Sequence, residues 1–152
     1  KEADGILSIE SGNSYNSSLF DYSWGSNGSI AENGIVLSMQ YDVSGDQQYR
    51  QAAVEQVSYL LGRNSLDLCF VSGYGSQSPQ NVHSRVAKAL QASLTGALVG
   101  GPNASREDTV TAAMGANVPN AKIYSDSFDS YSTNEIAIYW NSSLIHLLAK
   151  LK

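Results

Sequence analysis

Three long segments of the chain carry apolar residues at helical spacing, and no clear series of strands accompanies them. The spacing predicts a helix from about Ile30 to Val43, a second from about Asp46 to Leu61, and a third from about Thr133 to Leu151. A short helix is predicted over Ser84–Ser93. The connections are long, most of all over residues 94–131. The pattern therefore predicts an all-α scaffold whose loops carry the chemistry.

The same spacing predicts where the helices begin and which faces they bury. Ser29 and Asp46 are predicted to cap the first two helices, which a short turn joins into an αα-hairpin. Residues 1–29, rich in Ser, Asn and Gly, are predicted to be extended or looped. The residues predicted to face the core recur along the three long helices: Ala31, Ile35, Met39 and Val43; Tyr49, Ala53, Val57 and Leu60; Ile136, Trp140, Leu144, Leu147 and Leu151.

The charge balance argues against two classes of partner. The formal net charge is −5 and the isoelectric point about 4.8, so the chain lacks a basic surface to neutralise the phosphates of nucleic acid or an anionic membrane. No apolar run is long enough to span a bilayer. Asn, Ser, Gly and Tyr are abundant, as in many secreted carbohydrate-active proteins, which predicts an extracellular location. Cys69 is the single cysteine, and its apolar neighbours predict that it is buried rather than catalytic.

Several common site motifs are absent from the sequence. The segment GALVGGPN lacks the lysine of a phosphate-binding loop, and His83 and His146 stand far apart without a zinc-ligand motif. No segment has the spacing of an EF-hand, and SGYGS does not fit a serine-hydrolase elbow. The chemistry is therefore sought in acids, aromatics and amides.

The segment Tyr124–Ser142 is the first candidate for a functional site. It places Asp126, Tyr131 and Glu135 in a loop that runs into the apolar C-terminal helix. A carboxyl held in a partly apolar cleft can donate a proton near neutral pH, and tyrosine rings can stack on sugars. The alternative is purely structural, with the residues from Thr133 to Glu135 starting a helix. The segment alone leaves both interpretations open.

The segment NVHSR is the second candidate. His83 and Arg85 are two residues apart, and in an extended backbone their side chains would point to the same side. Both could then hydrogen-bond the hydroxyls of one sugar. In the alternative, Arg85 pairs with a helix C-terminus or a carboxylate, and His83 is an ordinary loop residue.

With these residues in place, the chain resembles the C-terminal part of a glycoside hydrolase family 9 catalytic module. A chance match to the spacing of the first candidate segment is on the order of 10⁻⁷ per start point. A second signature ends in His83-x-Arg85 and departs from the usual pattern at Cys69 and Gln77. The segments YSWGSN, YLLGRNSL and GGPN also look like the family. The first signature is matched by Tyr124, Asp126, Tyr131, Glu135, Ala137, Asn141 and Ser142.

The resemblance implies a fold, an activity and a role for each candidate. It implies the C-terminal portion of a six-hairpin α/α barrel with long active-site loops, and hydrolysis of β-1,4-glucan (cellulose, cello-oligosaccharides) with inversion. The implied catalytic residues are Glu135, Asp126 and His83, with Glu135 as the general acid and Asp126 as an acidic residue that supports the active-site loop. His83 and Arg85 are implied to line sugar subsites, and Tyr131 to stack on or hydrogen-bond a sugar.

The resemblance also implies that something is missing. The family's catalytic base lies in a DAGD-like motif, which this chain lacks. Residues 1–152 are therefore expected to be a single segment that needs the N-terminal portion of the same enzyme. No cofactor is expected in the chemistry, and a structural calcium in the full module would find at most one or two ligands here, Glu107 and Asp108. The alternatives are a non-catalytic glucan-binding or structural fragment, using Trp24 with Tyr131, His83 and Arg85, and a domain that acts only as an interaction partner.

Overall fold

The computed structural model describes all residues, 1–152, and is built from helices joined by long loops. Its only extended pairing consists of isolated bridges. The prediction of an all-α fold is confirmed. No helix combines the length and the apolar character needed to cross a membrane. The α-helices are α1 (Glu2–Ser11), α2 (Ser26–Ser44), α3 (Gln47–Leu60), α4 (Arg85–Leu90), α5 (Thr109–Ala112), α6 (Tyr131–Asn134) and α7 (Ile138–Leu151).

The hairpin of α2 and α3 forms as its local sequence predicts. Gly45 ends α2 in the left-handed region at φ 70°, which glycine adopts without a steric penalty. The side chain of Asp46 caps α3 by accepting a hydrogen bond of 3.1 Å from the backbone N–H of Gln48. The predicted turn and the predicted cap are both confirmed.

Helices α2, α3 and α7 pack together and bury most of the helical core. Gly34 lets α2 approach α7 closely, because a Cβ at this position would lie 2.5 Å from Cδ2 of Leu147. Leu37 and Leu147 are fully buried in this contact. A second part of the core lies under the loops, where Phe70 and Leu98 are fully buried.

Trp140 of α7 is the point where distant segments of the loop region meet. Its indole fills the space left by Gly25 and Gly28 at the start of α2 and by Gly100 in a loop, since a Cβ on any of the three would crowd or overlap the ring. The backbone N–H of Asn27 donates to the carbonyl of Gly100 at 3.0 Å. The segments YSWGSN and GGPN are therefore packed against each other around one buried tryptophan.

The prediction that residues 1–29 are extended or looped is wrong for their first part, which forms α1. Its buried residues, Ala3, Ile6 and Glu10, recur every three or four positions and contact α2 and α3. Acidic residues in the first turn favour the helix N-terminus. The Ser, Asn and Gly content that predicted a loop is concentrated after this helix.

The predicted start of α2 is also wrong, because the helix begins at Ser26 rather than Ile30. Gly25, in the left-handed region, precedes the first turn in the place predicted for Ser29. The predicted buried face repeats every four residues, whereas a helical turn takes 3.6 residues. Successive positions of that face therefore rotate away from the core, and Met39 and Val43 are exposed. The buried face follows Ile30, Gly34 and Leu37.

The C-terminal helix does not begin at Thr133. A short helix, α6, ends at Asn134, the chain is extended from Glu135 to Ala137, and α7 begins at Ile138. The extended residues pair with distant segments through bridges between His83 and Glu135 and between Val99 and Ile136. The inward face predicted for α7 is otherwise correct, since Trp140, Leu144 and Leu147 are buried.

Candidate active site

Glu135 lies in the extended link between α6 and α7, with φ −68° and ψ 154°. Its backbone carbonyl accepts a hydrogen bond of 2.9 Å from the N–H of Gly100. Its carboxylate is partly exposed, and it neither accepts a hydrogen bond from the protein nor forms an ion pair. Glu135 follows the last residue of α6, but its side chain does not cap the start of α7, which begins after Ala137. Its backbone is therefore fixed while its carboxyl group is free to meet a ligand.

His83 lies beside Glu135 through the parallel bridge between their backbones. Its N–H donates to the carbonyl of Asn134 at 2.8 Å, and its Nδ1 lies 2.5 Å from the carbonyl oxygen of Phe128. Because a carbonyl oxygen only accepts hydrogen bonds, Nδ1 carries a proton. The Nε2 atom is left for a ligand.

Tyr131 and His83 belong to a continuous row of ring side chains, which we call the aromatic row: Trp24, Tyr131, His83 and Phe128. Neighbouring ring centroids in the row are 5.7 Å, 6.0 Å and 4.7 Å apart. Trp24 and Tyr131 are 42% and 38% exposed, so their faces are open to solvent. The Tyr131 hydroxyl donates to the carbonyl of Glu107 at 2.7 Å, which holds the ring in place. Such a row can stack on several sugar units.

Arg85 is the first residue of α4, and Ser84 caps that helix by accepting a hydrogen bond from the N–H of Ala87. The extended backbone thus ends at Ser84, and the same-side argument for His83 and Arg85 does not apply. Arg85 is exposed, and it takes part in no ion pair or side-chain hydrogen bond. Its guanidinium is available to a ligand at the edge of the site.

Asp126 ties together the two loops that carry the site. Its carboxylate accepts hydrogen bonds of 2.9 Å from the backbone N–H groups of Gln80 and Asn81, and one of 3.1 Å from the side chain of Asn134. These bonds join the segment before His83 to the segment before Glu135. In this geometry Asp126 positions the site, and its oxygens are already engaged.

Asn134 and Phe128 are site residues that the sequence did not reveal. The side chain of Asn134 accepts from the hydroxyl of Tyr124 at 2.6 Å and donates to the carbonyl of Asn81 at 2.8 Å. Burial raises the pKa of Tyr124, and the charge of Asp126 adds to this, so the hydroxyl stays a donor. In the sequence Asn134 indicates only a helix cap, while Phe128 lies between motif positions and carries no sequence signal.

Asp108 stabilises the segment before Glu135, because its carboxylate accepts hydrogen bonds from Ser130 and Ser132. Its buried carboxylate accepts from the N–H and hydroxyl groups of Thr111 and Ser132 and from the hydroxyl of Ser130. Burial by itself raises the pKa of Asp108, but these hydrogen bonds outweigh it, so the pKa lies below its ordinary value.

The surroundings of Asp108 do not fit a calcium ligand. Both carboxylate oxygens face N–H and O–H donors, which a cation would have to displace. Glu107 is exposed and accepts a hydrogen bond from Asn103 at 2.6 Å. No group of three acidic, histidine or cysteine side chains in the chain is arranged to hold a metal ion.

Replacing Asp108 by Ala is expected to lower the free energy of unfolding at pH 7 by about 1–3 kcal/mol, because buried donors lose their acceptor. A folded-state pKa below the unfolded value stabilises the protein above the unfolded pKa of about 3.9, and this contribution is lost as the pH falls through the folded value. Urea unfolding at pH 7 and near pH 2.5 should show the difference from the wild type shrinking in acid.

The matched control is Asp21→Ala, because Asp21 is exposed and makes no side-chain hydrogen bond or ion pair. Its stability should follow that of the wild type at both pH values. A deficit in Asp108→Ala that is the same at both values would contradict the assigned role of the carboxylate.

Comparison with known proteins gives consistent matches over nearly the whole chain. The family model for glycosyl hydrolase family 9 matches residues 2–148. A cellulose 1,4-beta-cellobiosidase of Acetivibrio thermocellus is 42% identical over 136 residues, which is 86% of this chain and 15% of the relative. Endoglucanase C of Cellulomonas fimi is 38% identical over 132 residues, covering 82% of this chain and 12% of the relative.

Solved structures of family 9 enzymes also superpose closely on this chain. The crystal structure of the family 9 endoglucanase J30 superposes with a TM-score of 0.93 at 32% identity, covering 99% of this chain and 29% of that one. The structure of AaCel9A in complex with a cellobiose-like isofagomine superposes with a TM-score of 0.85 at 31% identity, covering 97% and 29%. The chain thus spans less than a third of the relatives and structures it matches.

Proposed function

The chain belongs to glycosyl hydrolase family 9, and from this premise we propose that it carries the acid-bearing half of the active site of a β-1,4-glucanase. The observation that carries the proposal is the fixed backbone and unengaged carboxylate of Glu135, beside the imidazole of His83 and the aromatic row. The names of its relatives, a cellobiosidase and endoglucanases, support β-1,4-glucan as the substrate. Because cellulose is an insoluble polymer, we place the enzyme outside the cell.

Glu135 is proposed to be the general acid that protonates the leaving glycosidic oxygen. Its backbone is held by Gly100 and by the bridge to His83, so the carboxyl group swings over a limited range. His83 has Nε2 and Arg85 has its guanidinium available to bind sugar hydroxyls near the bond that breaks. Asp126 and Asn134 hold the two loops in register and act as positioning residues.

Inversion requires a second carboxylate as the base, about 6.5–9.5 Å from the acid, with a water molecule between them. Asp126 and Asp108 are poor candidates, since their oxygens accept hydrogen bonds that hold the loops. We therefore place the base on the part of a family 9 module that this chain does not span. Acid–base chemistry of this kind needs no cofactor. A structural calcium ion in the whole module would take its ligands from groups other than Asp108.

The test is hydrolysis of a soluble cello-oligosaccharide by the complete enzyme and by this chain alone, with proton NMR of the first product formed. The complete enzyme should release the α-anomer, because inversion of a β-linkage gives α. The chain alone should release no sugar. A β-anomer from the complete enzyme would contradict inversion, and hydrolysis by the chain alone would place the base within these residues.

A second candidate, glucan binding without hydrolysis, is favoured by one observation, the open faces of Trp24 and Tyr131 at a ring separation of 5.7 Å. Stacking on such a pair needs no acid. Saturable binding of cello-oligosaccharides by the complete protein, with no sugar released on prolonged incubation, would select this function over the first.

A further inference from the structure

The backbone of Glu135 is held by a short loop segment, residues 99–102, which we call the support segment. Within it, the N–H of Gly100 donates to the carbonyl of Glu135 at 2.9 Å. We propose that Asn27, in the first turn of α2, is a positioning residue for the general acid, because it holds the support segment from the side opposite Glu135. The proposal rests on the proposed function and extends it to a buried residue that acts through Glu135 without touching the substrate.

Two successive peptide groups of the support segment join Asn27 to the acid. The N–H groups of Gly100 and Gly101 each donate, at 2.9 Å, to a carbonyl of the segment Thr133–Glu135. The carbonyls of the same two peptide groups accept from Asn27: its Nδ2 donates to Val99 at 2.9 Å, and its backbone N–H to Gly100 at 3.0 Å. Because the N–H and C=O of a planar peptide group point in opposite directions, the acid lies on one side and Asn27 on the other.

The side chain of Asn27 is fully buried and packs directly against Gly101. Gly101 is in the left-handed region at φ 88°, and a Cβ at this position would lie 2.4 Å from Cγ of Asn27. The Oδ1 of Asn27 accepts no hydrogen bond within the protein, which costs stability at a buried position. The amide is therefore useful through the bond that Nδ2 makes to Val99, and the contact with Gly101 fixes where that bond is made.

The experiment measures kcat and KM of the complete enzyme with cellohexaose and with dinitrophenyl cellobioside, whose leaving group needs no proton. In Asn27→Ala the support segment loses a donor, so the acid should be displaced from the glycosidic oxygen. The kcat on cellohexaose should fall about 10- to 100-fold, and that on dinitrophenyl cellobioside less than about threefold, since only the first reaction needs a well-placed acid. KM should change little, because Asn27 is buried. Equal losses on both substrates would overturn the positioning role.

Asn33→Ala is the matched control, because Asn33 lies on the same helix and its Nδ2 donates to the hydroxyl of Ser18 at 2.9 Å, outside the support segment. It should keep the wild-type kcat on both substrates. Ser26→Ala is a milder second variant, since the hydroxyl of Ser26 donates to the carbonyl of Pro102 at 2.8 Å. It should show the same selective loss at smaller size. If Asn27→Ala does not fold, equal kcat values of Ser26→Ala and the wild type on cellohexaose would overturn the proposal.

A double-mutant cycle separates this proposal from the proposed function. If Asn27 acts through the acid, Asn27→Ala should cause no further loss on cellohexaose in the Glu135→Gln background, because no proton is left to misplace. A full further loss in that background would overturn the positioning role while leaving Glu135 as the acid. Wild-type activity in Glu135→Gln alone would overturn the proposed role of the acid, and the positioning role with it.

Discussion

Replacing Glu135 by Gln is expected to lower the kcat of the complete enzyme on cello-oligosaccharides by about 10²–10⁴-fold, the usual contribution of a general acid. The amide has almost the same shape as the carboxyl group but has no proton to give to the leaving oxygen. Because the carboxylate of Glu135 accepts no hydrogen bond from the protein, the substitution removes no structural contact. KM should therefore change little, and thermal unfolding should occur at the wild-type temperature.

The leaving group provides a sharper measurement than the rate alone. A dinitrophenyl cellobioside departs without protonation, so its hydrolysis by Glu135→Gln should be reduced far less than that of cellohexaose. The matched control is Glu32→Gln, an exposed glutamate on α2 that makes no side-chain hydrogen bond. An equal loss with both substrates would mean that Glu135 does not act as the acid. Full activity on cellohexaose would mean the same.

The parts of the fold that could be predicted are those decided by residues close together in the sequence. The hairpin turn at Gly45 and the cap at Asp46 depend on a handful of neighbouring residues, and both are confirmed. The interruption at Glu135 depends on Gly100 and His83, which are far away in the sequence. Helical propensity continues through this segment, and only the distant backbone partners make it extended.

The residues of the candidate site likewise fall into those that the sequence predicts and those that depend on distant contacts. Glu135, His83 and Tyr131 were predicted from motif spacing, and the structure brings their backbones or rings together. Phe128 and Asn134 each have a site contact with a residue more than 40 positions away, which no local pattern records. The roles of Glu135, Asp126, His83, Arg85 and Tyr131 in catalysis and binding stay predictions until the variants are measured.

Replacing Trp140 by Ala is expected to lower the free energy of unfolding by about 3–5 kcal/mol, a large part of the total stability of an ordinary domain. The indole is 4% exposed and fills the space between the start of α2 and the loop at Gly100. Its loss leaves a cavity that glycines cannot close, since they have no side chains to move into it. Urea unfolding gives the measurement, with Ile138→Ala as the control. Ile138 lies on the same helix but is 90% exposed, and its removal should cost less than about 0.5 kcal/mol.

Gly28 provides the complementary test of the same packing. It lies within α2, where Ala is normally favoured over Gly by about 1 kcal/mol. The Cβ of an alanine at this position would nevertheless overlap the Trp140 ring. Gly28→Ala is therefore expected to destabilise the chain by about 1–3 kcal/mol when Trp140 is present. In the Trp140→Ala background the same change should be neutral or stabilising, because the overlap is gone and the new methyl group fills part of the cavity. Additive effects in this double-mutant cycle would show that the two segments do not meet at Trp140.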